Sequence, residues 1–283
     1  MSLAASIIIP VYNDAQSINV CLEALLHQTY SKNNFEVIVA DNGSNDDTQN
    51  TIKWYCRNYR QFIRMVIEDE IQSSYAARNK GIQVAKGKIL AFTDSDCVPE
   101  PQWIEAGLRA LKRENATCGA GHISFFFESD QPNVCEYFDS KRKLNQKAYV
   151  HSAGFGATAN FFSERRLFET YGLFRNDLIS GGDYEFGRRL TQKNERLIYI
   201  TDAIVKHPAR STFSQIRKKT KRVAIGQKKL EELGLLAHGR ISWRNWLPKL
   251  ECLKAKDLTF LKKIHLLLLA NYLQYINLFR RIL

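Results

Sequence analysis

The sequence predicts an α/β fold, a mostly parallel central sheet flanked by helices, with a helical C-terminal extension. Three observations predict it. The first hundred residues alternate short apolar runs with segments of helical period, each apolar run ends in a polar cluster, and the charge balance breaks near residue 206. Strand and helix in alternation call for parallel strands joined by right-handed crossovers.

The apolar runs are "SIIIPVY" (6–12), "FEVIVAD" (35–41), "FIRMVIE" (62–68) and "KILAFTD" (88–94), rich in Ile, Val and Phe, and they read as buried strands. Helical period fills 14–29, 46–60 and 73–85; the first begins behind Asn13 and Asp14 and the second behind Ser44, residue types that cap helix N-termini. A helix over 100–114, a strand within 117–128 and a polar helical stretch over 133–147 follow. "HSAGFGATANFFSERRLFETYG" (151–172) reads as a small-residue loop and a short helix, and "GGDYEFGRRLTQKN" (181–194) as a Gly-Gly turn opening another. Residues 196–207 read as one or two strands, and helices over 212–233 and 257–281 complete the chain. Two domains result, 1–210 and 211–283.

A chain of 283 residues, 45% hydrophobic and 25% charged, sustains a packed core rather than disorder. Its six cysteines form no CxxC pair, which favours reduced thiols over a disulfide framework or zinc site. The run "AASIIIPVY" lacks the basic leader of a signal peptide, and "LLLLA" (266–270) is far too short to span a bilayer. A cytoplasmic protein is expected.

The charge is unevenly spread. Residues 1–205 hold 23 Lys and Arg against 25 Asp and Glu, whereas 206–283 hold 18 against 4, so a net −2 is followed by a net +14. Such a tail suits an anionic partner, and without an RNP, zinc-finger or helix-turn-helix signature nucleic acid is not expected. Within 257–281, Lys263, Asn271, Gln274, Asn277 and Arg281 share a sector of roughly 120°. The wide apolar remainder suits peripheral contact with the inner face of the plasma membrane through 212–283; packing on the catalytic domain or in a homo-oligomer is the alternative.

Ligands of open α/β sheets bind beyond the carboxyl ends of the strands. Those ends carry Pro10-Val11-Tyr12, Asp41-Asn42-Gly43-Ser44, Glu68-Asp69-Glu70 and Asp94-Ser95-Asp96. No GxGxxG follows the first strand, which argues against a dinucleotide site. Asp94 and Asp96 repel each other with no Lys or Arg beside them in sequence, and a divalent cation, Mn²⁺ or Mg²⁺, would cancel that repulsion through oxygen ligands. A lone D-x-D also occurs in solvated turns; its place after an apolar strand is what singles this one out.

In this order and spacing, "SIIIPVYND", "VIVADNGSNDDT", "AARNKGIQVAKGKILAFTDSDCVP" and "GGDYEFGRRL" resemble the family 2 glycosyltransferases over about residues 5–210. The resemblance implies the GT-A, Rossmann-like fold and inverting transfer of one sugar from a nucleotide-diphosphate donor. UDP is the expected nucleotide, because it is the commonest in the family, and a saccharide or lipid-linked acceptor in cell-surface glycan synthesis is expected. Asp41 resembles the aspartate that binds the base, with Pro10, Tyr12 and Asn13 lining the same pocket. Arg78 resembles the arginine near base and diphosphate, or else simply pairs with Glu68, Asp69 or Glu70. Asp94 resembles the ribose-reading carboxylate that helps seat the metal, Asp96 its direct ligand, with Ser95 between them, and His207 the histidine near the metal.

Asp183 resembles the general base, where the family usually has Glu-Asp and this chain has Gly182-Asp183; Glu185 is the rival, and a helix cap is the structural alternative. Acceptor contacts are expected from His151, Asn160, Tyr184 and Glu185, with one or two of Trp103, Phe155, Phe161, Phe162 and Tyr184 stacking on sugar. Gln215-Ile216-Arg217-Lys218-Lys219 does not match the Q-x-x-R-W of processive members, so one sugar is expected per encounter. A nucleotidyltransferase of similar sheet architecture is the alternative, weakened because "PVYNDAQS" is not a Gly-rich basic phosphate loop.

Overall fold

The computed structural model describes residues 3–141, 144–236 and 259–282. The chain forms two compact units: one of Met1–Ser124, Leu144–Leu178 and Gly182–His207, the other of Phe125–Lys143, Ile179–Gly181 and Pro208–Leu283.

The strands are β1 (Ala5–Val11), β2 (Phe35–Asp41), β3 (Ile63–Ile67), β4 (Ile89–Thr93), β5 (Val98–Pro99), β6 (Cys118–Phe126), β7 (Asn160–Glu164) and β8 (Leu197–Pro208). They form one eight-stranded sheet in the order β3-β2-β1-β4-β7-β6-β8-β5. Pairing is parallel across β3-β2-β1-β4, as the alternation predicts, and antiparallel for β4 with β7, β7 with β6 and β5 with β8. The sheet is therefore mixed. Two strands are unforeseen, the short β5 and β7, where "NFFSE" lies inside what reads as loop and short helix; Phe161 aligns with Phe92 across β4.

Successive side chains of a strand face opposite ways, and this divides the core in two. Ile7, Ile9, Val37 and Val39 face one side with Leu22, Leu25, Ile52 and Trp103. Those partners come from α1 (Ala15–Leu26), α2 (Thr48–Asn58) and α4 (Trp103–Glu114). Ile8 and Ile38 face the other side with Tyr75, Ile82, Phe168, Phe186 and Leu190, from α3 (Ser74–Val84), α7 (Arg165–Tyr171) and α8 (Gly182–Thr191). Each such buried side chain contributes about 1.5–3 kcal/mol. Close approach of α4 to β7 requires Gly107, where a Cβ would lie 2.3 Å from the Phe162 ring.

Two expected helix caps serve elsewhere. Asp14 precedes α1 without a side-chain cap bond, and α2 starts behind Asp47 rather than Ser44.

In the second unit, α5 (Val134–Lys141), α9 (Phe213–Glu232) and α10 (Phe260–Ile282) share a core of Tyr137, Phe138, Ile216, Leu266, Leu269, Ala270 and Leu273. A capping box of Thr212 and Gln215 starts α9. The polar stretch expected as one helix over 133–147 is α5, with a separate single turn, α6 (Gln146–Ala148), in the first unit. Part of the apolar surface of α10 is thus consumed by packing inside its own unit, while Leu261, Leu268 and Tyr272 stay exposed. The side chains of Gln274, Asn277 and Arg281, expected on its polar sector, lie outside those described. No helix among the described residues is long and apolar enough to cross a membrane.

Candidate active site

The loops leaving β1, β2 and β4 are stitched together by the polar residues that follow each strand. Asn13, at φ 48°, donates its backbone N–H to Ser44 Oγ (2.9 Å), and its Oδ1 accepts from the Asn45 N–H (2.9 Å). Asp14 donates its N–H to Thr48 Oγ1 (2.8 Å) and accepts from Ser95 Oγ (2.9 Å). That is where the would-be cap residues went: they hold the loops. Pro10 lies in β1, and Tyr12 just beyond it is half-exposed.

Asp41, at the end of β2, is fully buried. Its Oδ2 accepts from the Ser44 N–H (3.1 Å) and Gln49 Nε2 (2.8 Å), whereas its Oδ1 has no hydrogen-bond partner among the described residues. A buried acceptor left unpaired costs about 1–3 kcal/mol, and no donor among the described residues meets this one. Asn42 pins the loop after β3, donating to the carbonyls of Glu68 (2.9 Å) and Ile71 (2.8 Å).

The positive charge that Asp94 lacks in sequence comes from α3. Arg78, 4% exposed, donates from Nη2 to Asp94 Oδ1 at 2.5 Å, with its guanidinium 5.5 Å from the Tyr75 ring centroid. It does not pair with Glu68, whose Oε1 closes its own loop by accepting from the Glu70 and Ile71 N–H groups. Arg78 Nε is buried without a hydrogen-bond partner among the described residues.

Beside this pair, Asp94, Asp96, Cys97 and His207 each offer a ligand atom, all within 4.8 Å of one another. His207 Nε2 lies 4.0 Å from Asp96 Oδ1, and each carboxylate side chain keeps about a third of its surface open, at 33% and 35%. Two carboxylates suit Mn²⁺ or Mg²⁺, the imidazole favours Mn²⁺ of the two, and a thiol is the softer, poorer ligand for either.

Asp183 sits in the first turn of α8, half-buried. Its Oδ1 accepts from the Tyr75 hydroxyl (3.2 Å) and the Tyr184 N–H (2.9 Å). Burial pushes its carboxyl above the ordinary aspartate range, against the downward pull of the Tyr184 N–H, the Arg78 charge and the Tyr75 hydroxyl.

Residues 6–172, which carry Asp41, Arg78, Asp94 and Asp96 but not Asp183 or His207, match the sequence profile of glycosyl transferase family 2. The chain belongs to glycosyltransferase family 2. It is 39% identical over 222 residues to the glycosyltransferase AglE of Haloferax volcanii, covering 78% of this chain and 72% of that protein. It is also 26% identical over 229 residues to a Methanococcus voltae enzyme named as a dolichyl N-acetyl-alpha-D-glucosaminyl phosphate 3-beta-D-2,3-diacetamido-2,3-dideoxy-beta-D-glucuronosyltransferase, covering 76% and 70%. In fold it resembles the mannosyltransferase PcManGT of Pyrobaculum calidifontis, solved with GDP-Man and Mn²⁺: TM-score 0.65, 17% identity, 99% of this chain and 72% of that one.

Among the residues expected to meet acceptor in this glycosyltransferase, the structure draws distinctions. Asn160 is fully buried, and its amide is spent: Oδ1 accepts from Trp103 Nε1 (2.8 Å) and Nδ2 donates to the carbonyls of His122 (2.8 Å) and Ala203 (2.9 Å). Trp103, Phe161 and Phe162 are core residues at 2% exposure or less. Glu185 is locked to Arg189 by bonds of 3.0 and 2.7 Å. His151 is exposed, and the Tyr184 ring lies edge-on to Phe155, itself stacked on Tyr149.

Tyr75, Asp14 and Gln49 are the site residues that sequence reading misses. Tyr75 and Arg78 stand at i and i+3 on α3, so their common face was legible; that Asp183 meets this face was not.

Proposed function

We propose that this family 2 glycosyltransferase is an inverting, divalent-cation-dependent enzyme that moves a single sugar from a UDP-sugar to a saccharide or lipid-linked acceptor. Its setting in this reading is cell-surface glycan synthesis at the cytoplasmic face of the plasma membrane, with residues 212–283 against anionic lipid. One observation carries the chemistry: two side chains, Tyr75 and Arg78, join Asp183 to Asp94, so a carboxylate suited to taking a proton is linked to those suited to the cation of a diphosphate.

Asp183 acts as general base. Both hydrogen bonds to it fall on Oδ1, which leaves Oδ2 for the acceptor hydroxyl proton; a positioned carboxylate in this role contributes about 10²–10⁴-fold. The rival Glu185 is held by Arg189. Direct displacement by an acceptor so activated inverts the anomeric centre. Asp94, Asp96 and His207 would hold the cation, which would stabilise negative charge on the leaving diphosphate as a Lewis acid. Arg78 adds a fixed guanidinium on the donor side.

The preference for UDP rests on Asp41. Its Oδ2 is already engaged, so Oδ1 alone is left to accept a hydrogen bond. Uracil offers one imide N–H to such an acceptor. Guanine offers two adjacent donors and is matched best by a carboxylate with both oxygens free.

The test is nucleoside-diphosphate release from a panel of UDP- and GDP-sugars, with the anomeric configuration of the product read by NMR. Asp96→Ala and Asp183→Asn should each abolish turnover. Full activity in both variants, or release of pyrophosphate instead of nucleoside diphosphate, would refute the reading.

A further inference from the structure

We propose that the exposed face of α9 is the surface by which the protein docks on a bilayer rich in anionic phospholipid. The inference rests on the membrane-facing reading of residues 212–283 above and assigns the contact to particular side chains. Helix α9 is amphipathic in an unusual sense. Ile216, Thr220, Ala224, Gly226 and Leu230 are buried. At 100° per residue, the exposed Arg217, Lys218, Lys221, Arg222, Ile225, Lys228 and Lys229 fill a single sector of roughly 140° on the opposite side.

Most of this charge is unspent. Glu232, on the same face, lies 3.7 Å from Lys229, and Lys219, on the inner side, is held by Asp139 at 2.8 Å. Arg217, Lys218, Lys221, Arg222 and Lys228 have no carboxylate partner among the described residues. Holding like charges side by side is unfavourable unless a negative surface completes them. Each basic side chain near an anionic leaflet adds roughly fivefold to binding.

Apolar groups on the same unit favour lipid over nucleic acid. Ile225 sits near the middle of the basic sector and is 42% exposed. Leu261 and Leu268 of α10 are 69% and 62% exposed, and with Tyr272 they form one stripe at i, i+7 and i+11. Tyr272 also touches the exposed Phe213 at the start of α9, with ring centroids 5.3 Å apart. Aliphatic side chains beside basic ones can enter a headgroup layer, whereas single-stranded nucleic acid asks for flat aromatic platforms.

The experiment is co-sedimentation of the full chain with vesicles of phosphatidylcholine alone or mixed with phosphatidylglycerol, over a salt series. The wild type should bind the mixed vesicles only, and less as salt rises. Lys218→Gln/Lys221→Gln/Arg222→Gln should lose about a hundredfold in binding, while Ile225→Ser should weaken it without changing the salt slope. Nucleoside-diphosphate release in free solution, measured in parallel, should be unchanged in both variants. Equal binding to both vesicle types, unaltered binding by the triple variant, or tighter binding to a single-stranded RNA oligomer than to mixed vesicles overturns the assignment. Vesicle binding without donor turnover would instead overturn the glycosyl-transfer reading and leave this one standing.

Discussion

The Tyr75 hydroxyl donates to Asp183 Oδ1 at 3.2 Å, joining residues 108 positions apart in the chain. The neighbouring Gly182 belongs to the same fit, because a Cβ there would lie 2.9 Å from the Tyr75 ring. Gly182 therefore leaves room for a tyrosine arriving from another helix. The Asp183 N–H also approaches the same hydroxyl, at 3.4 Å.

Tyr75→Phe keeps the ring and removes the hydrogen bond. A bond to a charged group is worth about 1.5–3 kcal/mol, so kcat should fall roughly 10- to 100-fold with little change in donor KM. Steady-state kinetics over a donor series checks this. A uniform rise in KM at constant kcat would assign Tyr75 to donor binding instead.

The raised Asp183 carboxyl sets a pH dependence. A base works only when ionised, so activity should fall on the acid side of a midpoint above the ordinary aspartate value of about 3.9. The Tyr75 hydroxyl pulls this carboxyl down, and Tyr75→Phe should therefore move the acid limb to higher pH. The kcat–pH profiles of the two proteins make the comparison.

Stability responds in the opposite sense. A carboxyl raised in the folded state binds more protons there than in the unfolded chain, so its ionisation weakens the fold as pH rises through that window. The penalty is complete above the folded value and absent below the unfolded one. Asp183→Asn should consequently melt at or above the wild-type temperature at neutral pH while losing turnover, a pairing that thermal denaturation and product assay can read on one sample.

Arg78 neutralises Asp94 and is buried against Tyr75. Arg78→Met should leave the acidic pair more negative, so Mn²⁺ alone binds at least as tightly, while affinity for UDP in the presence of Mn²⁺ drops about tenfold or more. Calorimetric titrations with metal alone and with metal plus nucleotide separate the two effects.

In the second unit, Asp139 is 3% exposed and bonded to Lys219 (2.8 Å) and Arg210 (3.0 Å). Burial pushes its carboxyl up, but the two cations outweigh it and leave it below the usual range. Its stabilisation is thus present above the unfolded value and lost as pH falls through the folded one. Asp139→Ala removes the carboxylate that both cations share and should cost about 3 kcal/mol, the low end for a broken buried pair because each cation keeps some solvent. Faster amide exchange in α5 and α9, with β1 and β2 unaffected, is the expected signature.

Local pattern alone determined much of this protein: four strands and three helices from the period of their apolar residues, the polar strand ends, the basic tail, and a D-x-D at the end of the fourth strand. These are properties of near neighbours in the chain, and hydrophobic period is read over a few residues. The tertiary structure decided what depends on partners far apart in sequence. It inserted β7 beside β4, turned Asp14 and Ser44 from helix caps into loop ties, consumed one side of α10 in a core and closed Asn160 off inside the sheet. It also supplied the Asp94 counter-charge from Arg78 and brought Tyr75 to Asp183, because the energy of a buried polar pair lies in a geometry that only the packed sheet and its helices create.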